Sequence, residues 1–265
     1  MGNNHARKPR PAASTAWEQQ AQWYDERHGE RGDELHQQVV LPAVLRQLQA
    51  QHGQRVLDCC CGQGVLGRLL AAQGVASVGV DAAPGLIERA QERSGALEQY
   101  LVGDARDLAA SLGDERFDHA AVVLALQDLD PMEPVLQGLA ERVHTGGRLV
   151  IVLTHPAFRI PKRARFGWDE ERQVQFRRVD AYLEPEALKI TTRPGQRGSA
   201  ASTSFHRPIS AYLNALGRCG WAVVGSEELT SPRRGSKGKR AEAEERAARA
   251  FPLFLVLTAQ RLAQS

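Results

Sequence analysis

The 265-residue chain has no run of about 18 apolar residues, the length a helix needs to cross a bilayer, so no helical membrane span is predicted. Its first sixteen residues, MGNNHARKPRPAASTA, carry positive charge and small side chains but lack the apolar centre of a secretory signal. They are expected to form a disordered tail. The opening MGNNHA also lacks the hydroxyl residue that a myristoylation signal carries at its sixth position. Cysteine is scarce: of four in all, Cys59, Cys60 and Cys61 are adjacent and Cys219 lies far away. Adjacent cysteines lack the C-x-x-C spacing with which two thiolates chelate one metal, and they cannot build an ordinary disulfide framework. No metal site is predicted, and a reduced cytoplasmic protein is the simplest expectation. A net charge of +3 is too small to imply a nucleic-acid partner by itself, and no internal repeat is visible.

What is present is an ordinary globular composition, 42% hydrophobic and 25% charged, on a chain long enough to bury a sizeable core. Apolar residues at helical spacing run from residue 33 to Gly53. Strand and helix then alternate. The strands are RVLDCC (55–60), SVGVD (77–81), EQYLVGD (98–104), FDHAAVVLAL (117–126) and RLVIVLT (148–154), with amphipathic segments between them. This alternation predicts an α/β fold, a doubly wound, mostly parallel sheet with helices on both faces. WAVVGSEE and AFPLFLVLTAQRL bring the strands to seven and are expected to place an antiparallel strand near the C-terminal end, at the edge of the sheet. Between them a basic loop (230–240) leads into a charged helix. Residues 155–207 mix basic residues, aromatics and turn formers without a clean period, which predicts an inserted cap over the acceptor side of a domain spanning 17–265.

The chemistry centres on VLDCCCGQGVLG, residues 56–67. From Gly62 it spells G-x-G-x-x-G, the pattern of a dinucleotide-binding turn, with Asp81 following as the ribose acid. From Asp58 it reads differently. Gly62 and Gly64 let a ligand approach the backbone, and the helix behind them offers unpaired N–H groups to an anion. A carboxylate at Asp58 would repel a pyrophosphate and attract an ammonium. A ligand with an ammonium beside a carboxylate is an amino acid, and the methionine end of S-adenosylmethionine has both. Asp81 then accepts the ribose hydroxyls and Asp104 an exocyclic adenine amine.

These three acids on successive strand ends resemble the class I S-adenosylmethionine-dependent methyltransferases. Asp58, Gly62 and Gly64 match the first motif of that family, Asp81 its ribose acid, and Asp104 with Ala105 its adenine site. Cys60 departs from it, because the family often has glycine there. Ala82 and Leu124 complete the expected cofactor contacts. WEQQAQWYDERHG (17–29) resembles the lead-in of small-molecule members, which implies that Tyr24 covers the methionine end. The resemblance implies S-adenosylmethionine as cofactor, S-adenosylhomocysteine as product and a small-molecule acceptor.

Other readings stay open at this point. An NAD-dependent oxidoreductase would use Gly62, Gly64, Gly67 and Asp81 but leaves Asp58 and Asp104 unexplained, and Gly67 has a plain role in helix and strand packing. A non-catalytic cofactor-binding module would keep the fold without turnover. RNA or protein methylation would use the basic stretches at Lys162 to Arg165, Arg177, Arg178 and Arg233 to Arg240, which read equally as solvated charge. The fourth strand ends LALQDLDP and lacks the Asn/Asp-Pro-Pro-aromatic motif used for amides and base amines. His155 and His206 flank the insert; each is either a hydrogen-bonded structural histidine or the acceptor of the nucleophile's proton, since imidazole titrates near neutrality. The cysteine triplet reads as core filler. Oligomeric state is not legible.

Overall fold

The computed structural model describes residues 17–191, 201–232 and 238–263. The tail predicted for residues 1–16 and part of the basic loop therefore lie outside the described residues. The N-terminal segment forms α1 (Ala21–His28) and α2 (Leu41–Leu48). Four strand-helix steps and a fifth strand follow: β1 (Arg55–Cys59), α3 (Val65–Ala71), β2 (Ala76–Asp81), α4 (Pro84–Glu92), β3 (Glu98–Val102), α5 (Leu108–Leu112), β4 (Phe117–Val123), α6 (Glu133–Arg142) and β5 (Val143–Thr154). Local chemistry starts several of these helices. Proline occupies the first turn of α2, α4 and α6, where its missing N–H costs nothing, and Asp107 caps α5 by accepting from the Ala110 N–H.

A seven-stranded sheet carries these elements, in the order β10-β11-β5-β4-β1-β2-β3, where β10 is Trp221–Leu229 and β11 is Phe254–Arg261. Pairs β1–β2, β1–β4, β2–β3 and β4–β5 are parallel. Alternating side chains explain why helices cover both faces. On β5, Leu149, Ile151 and Leu153 enter one core with residues of α5, α6 and α7 (Ile209–Arg218), while Val150 and Val152 enter the other with α2 and α3.

The antiparallel strand is not at the edge. β11 pairs antiparallel with both β5 and β10, so it is interior and β10 is the edge. Burial gives the reason. β11 sends Leu255, Leu257 and Ala259 into one core and Phe254 and Val256 into the other, so both its faces need cover. β10 buries mainly its ends, Trp221 and Leu229, and its exposed middle suits an edge. Residues 155–207 also differ from the aperiodic segment expected, because they contain two antiparallel hairpins. These are β6 (Ala164–Asp169) with β7 (Val174–Val179), and β8 (Glu186–Thr191) with β9 (Ala201–His206). The charged helix α8 (Ala241–Ala250) precedes β11. Among the described residues no helix is long and apolar enough to cross a membrane.

Candidate functional site

The strand order reverses direction between β1 and β4, and the C-terminal ends of the strands on either side of that point form a crevice. Its floor is the turn after β1. Cys60 has φ +64°, a left-handed conformation that glycine adopts without strain, which accounts for the glycine often found at this place in the resembling family. The turn is tied down by the N–H groups of Cys60 and Cys61, which donate to the Val80 carbonyl at 2.7 and 3.2 Å. Gly64 donates to the Cys61 carbonyl at 3.0 Å.

The two glycines differ in what they leave room for. A Cβ on Gly64 would meet the Tyr100 ring at 2.5 Å, and the Tyr100 hydroxyl donates to the Gly64 carbonyl at 3.0 Å. A Cβ on Gly67 would strike the same hydroxyl. These positions are small because Tyr100 fills the space beneath the turn, so packing against Tyr100 by itself requires glycine at Gly64. Gly62 is different: within 4 Å its Cβ would meet only Tyr24 Cε1, at 3.7 Å. That opening, walled by Tyr24, is the cradle of the site.

Around it the structure gathers Tyr24, Asp58, Cys61 and Asp81. The Asp81 carboxylate accepts from the Gly62 and Ala83 N–H groups, each at 2.9 Å, through different oxygens. Burial raises its pKa, and the backbone hydrogen bonds oppose the rise. Each oxygen retains a lone pair for a second donor. Asp58 is only 2% exposed on a central strand between Gly79 and Ala121, and burial followed by the charge of Asp81 pushes its carboxyl up to about 7. Burial and then Asp81 lift the Tyr24 phenol well above its usual range. Tyr24 lies inside α1, held over the turn because Asp25 grips Arg93 with two hydrogen bonds of 2.6 and 2.9 Å. Trp17 packs edge-on against it, ring centroids 5.8 Å apart.

The remaining cofactor candidates are spread along the crevice. Ala82 follows Asp81 and Ala105 is buried. Asp104 is 46% exposed and clasped by Arg106 through Nε, Nη2 and the backbone N–H at 2.8 to 3.2 Å, which holds its carboxyl below the usual range. It therefore stands apart from the Asp58–Asp81 pair. Leu124, at φ +54°, lies on the wall of a separate cavity. Cys59 and Cys219 are buried, the four thiols are unpaired, and those of Cys60 (through its hydrogen bond to Cys59, then burial) and Cys61 (through burial) are pushed well above the ordinary range. No cluster of His, Cys, Asp and Glu among the described residues can hold a metal.

The cavity measures about 550 Å³ and lies over the ends of β4 and β5, under the two hairpins. Both candidate histidines face it, with unlike chemistry. His155 is buried; its Nδ1 accepts from the Ala157 and Phe158 N–H groups at 3.1 and 3.2 Å, and its Nε2 meets Glu228 at 2.8 Å. With Nδ1 accepting, Nε2 carries the proton, and no nitrogen is left to take another. Of the two readings of His155, these partners match a hydrogen-bonded structural histidine. His206 Nε2 meets the Tyr182 carbonyl at 2.8 Å, and a carbonyl only accepts, so the proton sits on Nε2 and Nδ1 keeps its lone pair. Sequence reading missed Asp128, whose carboxyl burial pushes up to about 7 despite a hydrogen bond from Ser204. It also missed Arg159. The letters LALQDLDP were legible, but which of their acids turns inward is decided by the short helical turn at Leu126–Asp128.

Cradle and donors fit S-adenosylmethionine. Buried carboxylates suit an ammonium and a ribose, whereas a pyrophosphate would meet two acids.

Comparison with known proteins agrees. Residues 57–151 match the family model described as a methyltransferase domain. A demethylmenaquinone methyltransferase from Beutenbergia cavernae is 27% identical over 189 residues, 71% of this chain and 74% of that protein. A ubiquinone biosynthesis O-methyltransferase from Azorhizobium caulinodans is 38% identical over 112 residues, 40% of this chain and 42% of that protein. Among solved structures, an S-adenosylmethionine-dependent methyltransferase from Mesorhizobium loti superposes with a TM-score of 0.66 at 25% identity, covering 83% of this chain and 96% of that one.

Proposed function

The chain is a class I S-adenosylmethionine-dependent methyltransferase, and on that premise we propose that it methylates a small organic acceptor held in the cavity beneath the hairpins. The cavity carries this reading. At about 550 Å³ it has the size of a small-molecule pocket, and it touches Trp17 and Leu124 at the boundary with the cofactor crevice. Two relatives named for quinone methylation support an acceptor of this size. The basic stretches favour RNA or protein less, because part of their charge is paired within the fold: Arg163 with Glu186, Arg178 with Asp180, and Arg240 with Glu170. The adjacent cysteines, which cannot build an ordinary disulfide framework, support a reduced cytoplasmic enzyme.

When bound, S-adenosylmethionine supplies an activated methyl group and leaves as S-adenosylhomocysteine. We assign its methionine end to Asp58, Gly62 and Tyr24, its ribose to Asp81, and its adenine to Asp104 with Ala105. Asp58 receives the ammonium, Tyr24 closes the turn against water, and the hairpins align the acceptor, since alignment supplies much of the rate in a displacement of this kind. For a hydroxyl acceptor, His206 Nδ1 takes the proton while the Tyr182 carbonyl fixes the ring.

This assignment makes cofactor affinity depend on pH. Only ionised Asp58 attracts the ammonium, and burial followed by the charge of Asp81 pushes its carboxyl up to about 7. Protonation below that value competes with binding. S-adenosylhomocysteine is expected to bind roughly ten- to fiftyfold more weakly at pH 5 than at pH 7, with proton release seen by calorimetry in buffers of different ionisation enthalpy. Flat affinity across this range would remove Asp58 from the ammonium site.

The reading itself is tested by titrating the protein with S-adenosylmethionine, S-adenosylhomocysteine, NADH and NADPH, then offering phenolic and quinol acceptors with a labelled methyl donor. Micromolar binding of the first pair with label transfer is expected. Cofactor binding without transfer to any acceptor would favour a non-catalytic module, and binding of a nicotinamide alone would overturn the assignment.

A further inference from the structure

Arg159 and Arg177 enter the same cavity from one wall, Arg159 from the segment after β5 and Arg177 from β7. Among the described residues neither has a carboxylate within 4.0 Å, although the other arginine lining this cavity, Arg207, pairs with Asp130 at 2.6 Å. Arg177 spends Nε and Nη2 on the Phe158 carbonyl and stacks over Phe166, 4.5 Å from the ring centroid. Among the described residues the Arg159 guanidinium makes no hydrogen bond; it lies 6.0 Å from the centroid of Phe254. Burial disfavours the charged form of both, and the charge of Arg159 adds to this at Arg177.

Two neighbouring, half-buried guanidinium groups without a counter-ion among the described residues disfavour one another, and a guanidinium cannot escape by losing its proton. The acid of the cavity does not neutralise them. Asp128 belongs to the opposite wall, made by the Leu126–Asp128 turn and β9, where Ser204 holds it. The unspent donors are instead matched by an oxyanion, a carboxylate or phosphate whose oxygens accept from the fork that arginine offers. Apolar side chains, Ile160, Ile190 and Phe205, line the space between the two walls.

We propose that the acceptor is an anion, a carboxylate or phosphate ester on an apolar body, whose charged end is bound by Arg159 and Arg177 while the atom to be methylated lies toward His206. This rests on the small-molecule reading above and narrows it.

The test uses calorimetry on the full chain saturated with S-adenosylhomocysteine, titrated with matched acid and amide pairs: benzoate and benzamide, 4-hydroxybenzoate and 4-hydroxybenzamide, and phenyl phosphate against phenol. At least one anion is expected to bind tenfold or more tightly than its neutral partner. That ratio should fall toward one in Arg159→Gln and Arg177→Gln, but not in the exposed control Arg165→Gln. S-adenosylhomocysteine affinity should be unchanged in all three. The inference is overturned if no anion exceeds its neutral partner, including the case in which neither binds, or if the preference survives in both pocket variants. Failure of S-adenosylhomocysteine to bind the unaltered protein would instead refute the cofactor reading beneath it.

Discussion

Replacing His206 by alanine is expected to lower turnover on a hydroxyl acceptor by 100-fold or more, the usual contribution of a positioned base, while S-adenosylhomocysteine affinity stays within about twofold. The expectation rests on one hydrogen bond. The Tyr182 carbonyl fixes the proton on Nε2 and leaves Nδ1 basic within the cavity. His206→Gln separates chemistry from packing, because it restores a donor for Tyr182 without a basic nitrogen; it should fall as far as alanine. Added imidazole should recover part of the activity of the alanine variant. His155→Ala, by contrast, removes hydrogen bonds to two backbone N–H groups and to Glu228 and should lower the melting temperature more than turnover. Near-normal turnover in His206→Gln, together with its loss in Asp128→Asn, would move the role of base to Asp128, which faces the same cavity.

The second large effect is at Asp81. Its alanine variant should weaken S-adenosylhomocysteine binding by about 1.5 to 3 kcal/mol, or roughly 10- to 150-fold, from lost hydrogen bonds to a charged acceptor. Those bonds are of two kinds. The carboxylate is assigned the ribose hydroxyls, and it also holds the Gly62 and Ala83 N–H groups, so its removal frees the turn that forms the cradle. Asp81→Asn keeps one acceptor oxygen and should lose less. Calorimetry on both variants, with far-ultraviolet circular dichroism to confirm folding, reads the difference. An alanine variant that folds and binds as before would end the ribose assignment.

Much of this molecule was written in its local sequence. The interval between apolar runs fixed the doubly wound sheet, since a short apolar strand followed by an amphipathic helix can bury its faces in few other ways. The three acids were legible for a similar reason: each ends a strand, and parallel strands bring their C-terminal ends to one side. What the letters did not decide depended on contacts between distant segments. Gly64 reads like Gly62, yet Tyr100 from β3 fills the space at one and leaves the other open. Asp104 reads like Asp58, yet one is clasped by Arg106 at the surface and the other is desolvated in the sheet. His155 and His206 are equivalent by position, and only Glu228 and two backbone N–H groups at the first, against a lone carbonyl at the second, distinguish a held ring from a basic one. The last two strands are expected to place an antiparallel strand at the edge, but the two apolar faces of β11 demand cover that only the interior supplies. Composition and period determine which elements form. Burial, counter-charge and the direction of each hydrogen bond, which exist only once the elements meet, determine what their side chains do.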